Sequence, residues 1–138
     1  MDSRFLERAV QDYSTSVELV WRPLGREVVR QAPTGKGVYF FRARGGSVFG
    51  RLKEKSDLVY IGKAQGQGGI RQRIRGHIYG GVDQKTNERS KWLQERLPME
   101  VAWAVVPDPS FAEQELLDFY FQDHWELPPL NRAGSGFM

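Results

Sequence analysis

Apolar residues fall at helical spacing in the first stretch of the chain, where Phe5, Leu6, Ala9, Val10 and Tyr13 align across residues 3–13, and a short apolar run from Val17 to Trp21 follows. A second short helix is predicted over 25–31. Pro33-Thr34-Gly35-Lys36-Gly37 is a cluster of turn formers, after which the β-branched and aromatic run Val38-Tyr39-Phe40-Phe41 reads as a strand. Arg44 to Ser47 reads as a loop and 51–57 as a charged connection. Leu58-Val59-Tyr60-Ile61 is a second strand, ended by Gly62 and expected to pair with the first. The stretch Gln65 to Gly69 breaks the chain, and Ile70, Ile74 and Ile78, with Arg71, Arg73 and Arg75 between them, then predict an amphipathic basic helix. A loop at 80–87 leads to a short helix around 89–96, and Val101 to Val106 is a third strand closed by Pro107-Asp108-Pro109. Ser110 is expected to cap the last helix, which carries Phe111, Leu116, Leu117, Phe119, Tyr120, Phe121 and Trp125 and must stop before Pro128-Pro129. The order from residue 36 is β-β-α-β-α. It predicts an α/β chain of the α+β kind, a small, mostly antiparallel three-stranded sheet flanked by helices over 36–138, preceded by an N-terminal helical extension over 1–35.

At 138 residues, with 40% hydrophobic and 27% charged positions, the chain has the size and balance of one folded domain. It has no apolar run of membrane-spanning length, and Met1-Asp2-Ser3-Arg4 lacks the apolar core of a signal peptide, so a cytoplasmic protein without a membrane partner is expected. Zero cysteines exclude disulfides, thiolate zinc sites and cysteine nucleophiles, and two histidines leave little for an imidazole metal cage, so any metal must sit on oxygens. The net charge of +3 is unevenly spread: residues 51–92 hold 10 Lys and Arg against 4 Asp and Glu, whereas residues 93–138 hold 2 against 8. A basic middle suits a polyanion, and an acidic end can supply carboxylates to a hard cation.

Five elements occur in one order: Gly37-Val38-Tyr39; Tyr60-Ile61-Gly62 followed by Lys63; the helix opening Ile70-Arg71-Gln72-Arg73-Ile74; an acidic last helix; and Pro128-Pro129-Leu130-Asn131. This ordered set resembles the GIY-YIG nuclease superfamily over about residues 36–131, with Val standing at the middle of the first tripeptide. Taken singly, the tyrosines are ordinary strand residues, the arginines and Lys63 solvated charges, His77 a helix histidine and Asn131 a turn residue. Taken together, the resemblance gives each a role. Tyr60 is the general base that activates a water, and Tyr39 positions it. The ammonium of Lys63 lies near enough to favour ionisation of a phenol. Arg73 matches the arginine whose planar fork grips the scissile phosphate, and His77, one turn on along the same helix face, contacts the phosphate or the water. Arg71 and Arg75, on another face, contact backbone phosphates. Asn131 hydrogen-bonds near the metal. The glycines of 66–69 lack the Gly-Lys-Ser/Thr ending of a phosphate loop and read as a connection.

The resemblance also implies a single divalent cation, Mg2+ or Mn2+, on an acid of the last helix. Glu113 ranks first because Leu116 and Leu117 would hold its face against the sheet, and Glu115 and Asp118 are the alternatives. At about 100° per residue, Glu113 and Glu115 point about 200° apart, so the site faces either the Glu113 side or the Glu115 and Asp118 side. The implied activity is metal-dependent hydrolysis of phosphodiester bonds in double-stranded or branched DNA, in a restriction, repair or mobile-element setting. Sequence recognition would fall to loops 43–57 and 80–88 or to a homodimer. The alternative is a non-catalytic nucleic-acid-binding module on the same fold, although binding phosphates requires no carboxylate beside them.

Overall fold

The computed structural model describes residues 6, 19–46, 48–80 and 84–131, with the backbone alone for 84–87. Its elements follow in the order β1 (Arg22–Pro23), α1 (Arg26–Gln31), β2 (Gly37–Ala43), β3 (Phe49–Gly50), β4 (Lys55–Ser56), β5 (Leu58–Ala64), α2 (Gly69–Tyr79), α3 (Gln84–Gln94), β6 (Met99–Val105) and α4 (Pro109–His124). Strand β2 is apolar at nearly every position, as a strand covered on both faces must be, and it lies between β6 and β5 in an antiparallel sheet of order β1-β6-β2-β5. Val38, Phe40, Ile61, Ala102 and Ala104 face Leu116, Leu117 and Tyr120 of α4. On the other face, Tyr39, Phe41, Tyr60 and Val101 meet Ile70 and Ile74 of α2 and Val28 and Val29 of α1. Each fully buried Leu or Ile in these layers contributes roughly 2 kcal/mol through lost water contact.

A register shift decides where Tyr60 goes. Phe41 pairs with Tyr60 but Arg42 pairs with Leu58, so Val59 is an extra residue in β5. Such a bulge turns the side chains beyond it. Leu58 therefore joins the α4 face, whereas Val59 and Tyr60 both join the α2 face.

The fold is mixed α+β, and several sequence expectations need correction. The sheet has four strands, because Arg22 and Pro23 pair with Val101 and Glu100 at the edge of β6. With Val28, Val29 and Ala32 in the core, part of the segment expected as an extension over 1–35 is built into the same sheet and core. The charged connection 51–57 contributes to a hairpin, in which Phe49 pairs with Ser56 and Gly50 with Lys55. The expected loop 80–87 is helical from Gln84. The cap of α4 is Asp108, whose carboxylate accepts from the Phe111 N–H at 3.2 Å, with Pro109 opening the helix and Ser110 inside it. The helix ends at His124, where Trp125 takes a left-handed conformation. The helix expected over 3–13 lies outside the described residues except for Leu6, which is buried against the α4 side. Among the described residues no helix is long and apolar enough to cross a membrane.

Candidate active site

The register of β2 against β5 places Tyr39 directly opposite Gly62. A Cβ at Gly62 would lie 2.5 Å from Tyr39 Cζ and 2.6 Å from Tyr60 Cε2, so both phenol rings cross the bare backbone there. Gly37 is equally constrained, since a Cβ would collide with the Ala104 carbonyl oxygen and with Ile70. The glycines of the two tripeptides are thus required by close approach.

His77 sits in a box of three rings. Its centroid lies 4.8 Å from Phe41, 5.2 Å from Tyr60 and 5.7 Å from Tyr39. It is 1% exposed, and its Nε2 is hydrogen-bonded to the Tyr39 hydroxyl at 3.0 Å. This histidine supports Tyr39 from behind. Of the two contacts that the resemblance implied, phosphate or water, a direct contact with phosphate does not fit its burial. Arg73, partly buried on the same helix, hydrogen-bonds the Tyr39 hydroxyl, and Tyr60 joins the same network. Burial holds the Tyr39 phenol well above the ordinary tyrosine value, charge on Tyr60 pushes the same way, and Arg73 pulls back. Tyr39 therefore keeps its proton. Tyr60, 8% exposed, is the phenol of the pair that reaches solvent.

Lys63 projects to the α4 side of the sheet edge, where its Nζ donates to Ser110 Oγ at 3.2 Å, and Gln65 Nε2 donates to the same oxygen. Glu113, one turn further along α4, is half-buried. Burial raises its carboxyl above the ordinary value, and the nearby charges of Lys63 and Arg73 pull it down. Arg73 thus lies close to both Tyr39 and Glu113. Asp118 is exposed and accepts from Gln122 Nε2 at 3.0 Å, and Glu115 is partly buried on the helix side away from Glu113. Among the described residues no three His, Asp or Glu side chains are grouped to cage a metal.

The structure also places Asn131, Arg71 and Arg75. Asn131 clamps the open edge of β5, its Oδ1 accepting from the Ile61 N–H at 3.0 Å and its Nδ2 donating to the Ile61 carbonyl at 2.9 Å. Arg71 donates from Nε to the Ala32 carbonyl at 2.8 Å and from Nη2 to that of Arg30 at 3.3 Å, so its guanidinium ties off the end of α1. Arg75 is exposed, with its guanidinium over Tyr79. Two contributors were not anticipated. Phe41 packs edge-on against His77, which the two-residue alternation from Tyr39 signals. Ser110 anchors Lys63, and its local sequence marks it only as a residue near a helix start.

No family model matches this chain, and neither a curated protein nor a solved structure matches it. The functional reading of the site therefore rests on its geometry and residue pattern.

Proposed function

We propose that this protein is a metal-dependent endonuclease of the GIY-YIG type that hydrolyses phosphodiester bonds in DNA, with the three strands β2, β5 and β6 as its catalytic sheet. The observation that carries this reading is that Arg73 joins the cluster of Tyr39, Tyr60 and His77 on one side to Glu113, with Lys63 beside it, on the other. A structural core does not need a half-buried carboxylate whose neighbouring charges are a lysine and an arginine that also bonds a buried phenol.

Glu113, a half-buried oxygen donor, would be the residue of this chain that holds a hard divalent cation such as Mg2+. When bound there, the cation supplies Lewis-acid stabilisation of the leaving 3′ oxygen. Tyr60 takes the proton of the attacking water. Tyr39, held protonated by burial and fixed by Arg73 and His77, directs its own hydrogen bond toward Tyr60, favouring negative charge there. Water attacks phosphorus, the bond to the 3′ oxygen breaks, that oxygen takes a proton from solvent to become a 3′ hydroxyl, and a 5′ phosphate is left. The planar fork of Arg73 opposes the charge that grows on the phosphate. Lys63, anchored by Ser110, adds a second cation beside the carboxylate. Asn131 acts through the backbone, fixing the β5 edge that presents Tyr60.

Supercoiled plasmid incubated with the full chain and Mg2+, with and without EDTA, tests the reading. Nicked or linear products in Mg2+ alone support it. Binding without cleavage in every metal would favour the non-catalytic nucleic-acid module instead.

A further inference from the structure

A cavity of about 460 Å³ opens on the face of the sheet that carries Tyr60, between α3, β3 and the segment after α4. That volume lies within the range of about 300–1,000 Å³ usual for small-ligand sites. Its walls are Phe49, Trp92, Leu93, Pro129 and Leu130, and its two polar residues are Glu88 and Arg89. Trp92 is 58% exposed, although tryptophan is highly buried on average, and the Arg96 guanidinium rests 3.8 Å from its ring centroid.

The cavity is coupled to the proposed active site by backbone. The Leu130 N–H donates to the Val59 carbonyl, so the cavity borders β5 beside Tyr60. Helix α3, which carries Trp92 and Leu93, is tied to the helix bearing Arg73 by Gln94 Nε2, which donates to the His77 carbonyl at 3.1 Å. Val59 and Gly62 are three strand residues apart, about 10 Å.

We propose that this cavity receives an unpaired nucleobase of the DNA strand being cut, stacked on Trp92. The inference rests on the nuclease reading for its choice of nucleic acid, and it deepens that reading by naming the substrate class. An exposed indole bordering an apolar slot suits the π-face of a base, and the exposed Arg89, which lines the same cavity, suits a flanking phosphate. Arg89 and Lys91 belong to the segment 51–92 with its 10 Lys and Arg against 4 Asp and Glu, a balance that suits a polyanion rather than an uncharged peptide. A base inside a paired duplex cannot enter a slot in the protein without leaving the stack, which costs least where it is already unpaired. The favoured substrates are therefore branched, gapped or single-stranded DNA.

Binding of the full chain to two 20-mers in EDTA tests this without cleavage. One is oligo(dT), and the other is an abasic strand with the same phosphates and no bases. The wild type should bind oligo(dT) about 5- to 30-fold more tightly than the abasic strand. Trp92→Ala should abolish that preference and leave affinity for the abasic strand unchanged, and Trp92→Phe should restore most of it. If Trp92→Ala loses helical circular dichroism, Trp92→Leu, which keeps apolar bulk without a ring, stands in for it against Trp92→Phe. Equal wild-type binding to both strands overturns the proposal, as does a Trp92→Ala effect that is the same on both, including no effect on either, which is the result expected if another part of the chain or a second copy fills the slot. Because the assay reads binding in EDTA, a protein that never cuts DNA could still pass it, so failure of the nuclease reading is separately visible.

Discussion

Gly62→Ala is the substitution whose effect the geometry dictates most directly. The new methyl would sit 2.5 Å from Tyr39 Cζ, 2.6 Å from Tyr60 Cε2 and 2.8 Å from the Tyr39 hydroxyl oxygen. Carbon atoms in ordinary contact are about 3.5–4.0 Å apart, so each ring must retreat by about 1 Å. Tyr39 has no open space behind it, since it is fully buried and Phe41, Tyr60 and His77 form one ring cluster around it. Overpacking of this kind costs about 1–3 kcal/mol, which for a domain of this size lowers Tm by about 3–10 °C. The loss of activity should be larger in proportion, because a misplacement of about 1 Å at reacting groups can cost about 100-fold in rate. A thermal melt by circular dichroism and single-turnover cleavage of plasmid in Mg2+ measure the two effects. Gly66→Ala, with nothing within 4 Å of the added Cβ, is the matched control. A Gly62→Ala protein that melts with the wild type and cuts at the wild-type rate would refute the claim that the two phenols over Gly62 form the working site.

Arg73→Ala should lower single-turnover cleavage by about two to three orders of magnitude, the usual cost of one preorganised charge contact, and Tyr60→Phe should be comparably slow; wild-type turnover in either reassigns the role. Glu113→Gln should abolish cleavage across a Mg2+ series while melting higher than the wild type at neutral pH. Its folded pKa lies above the ordinary 4.5, so the stability this group contributes is complete below that value and lost as pH rises through the raised one, leaving a charged carboxylate that costs stability at pH 7. Normal cutting by Glu113→Gln with dead Glu115→Gln or Asp118→Asn would move the metal ligand to the other side of α4. Asn131→Ala removes both hydrogen bonds to Ile61 and should destabilise by about 1–3 kcal/mol in chemical denaturation, and an unchanged midpoint would show that the clamp is dispensable.

How much of the fold and site was legible depends on which physical signal each residue left in the chain. Leu116 and Leu117 set the phase of α4, and both are buried while Glu113 faces Lys63 and Arg73 and Asp118 faces solvent. The i,i+4 spacing of Arg73 and His77 likewise put them on the face that meets Tyr39. The bulge at Val59 left no trace, because Leu58-Val59-Tyr60-Ile61 is apolar throughout and alternation cannot show which face each residue takes. The fourth strand is two residues long, too short for any periodicity, and α3 begins on the polar run Gln84-Lys85-Thr86-Asn87. Spacing sorted the arginines of α2 into faces, but only tertiary packing brought the Ala32 and Arg30 carbonyls to Arg71. The burial of His77 was hidden for the same reason. The aromatic box that covers it comes from two strands, and no helical pattern records it.

If Tyr60, Arg73 and a cation on Glu113 direct water onto a DNA phosphate, the chemistry of the cut ends records it. End analysis of the cut strands tests it most directly. The full chain is incubated with end-labelled branched and gapped DNA in Mg2+ or in EDTA, and the products are sized and treated with phosphatase and ligase. Cuts are expected in Mg2+ only, with 5′ phosphates and 3′ hydroxyls at every break and none with Arg73→Ala. Cleavage that persists in EDTA, breaks bearing 3′ phosphates, or intact DNA on every substrate would contradict it.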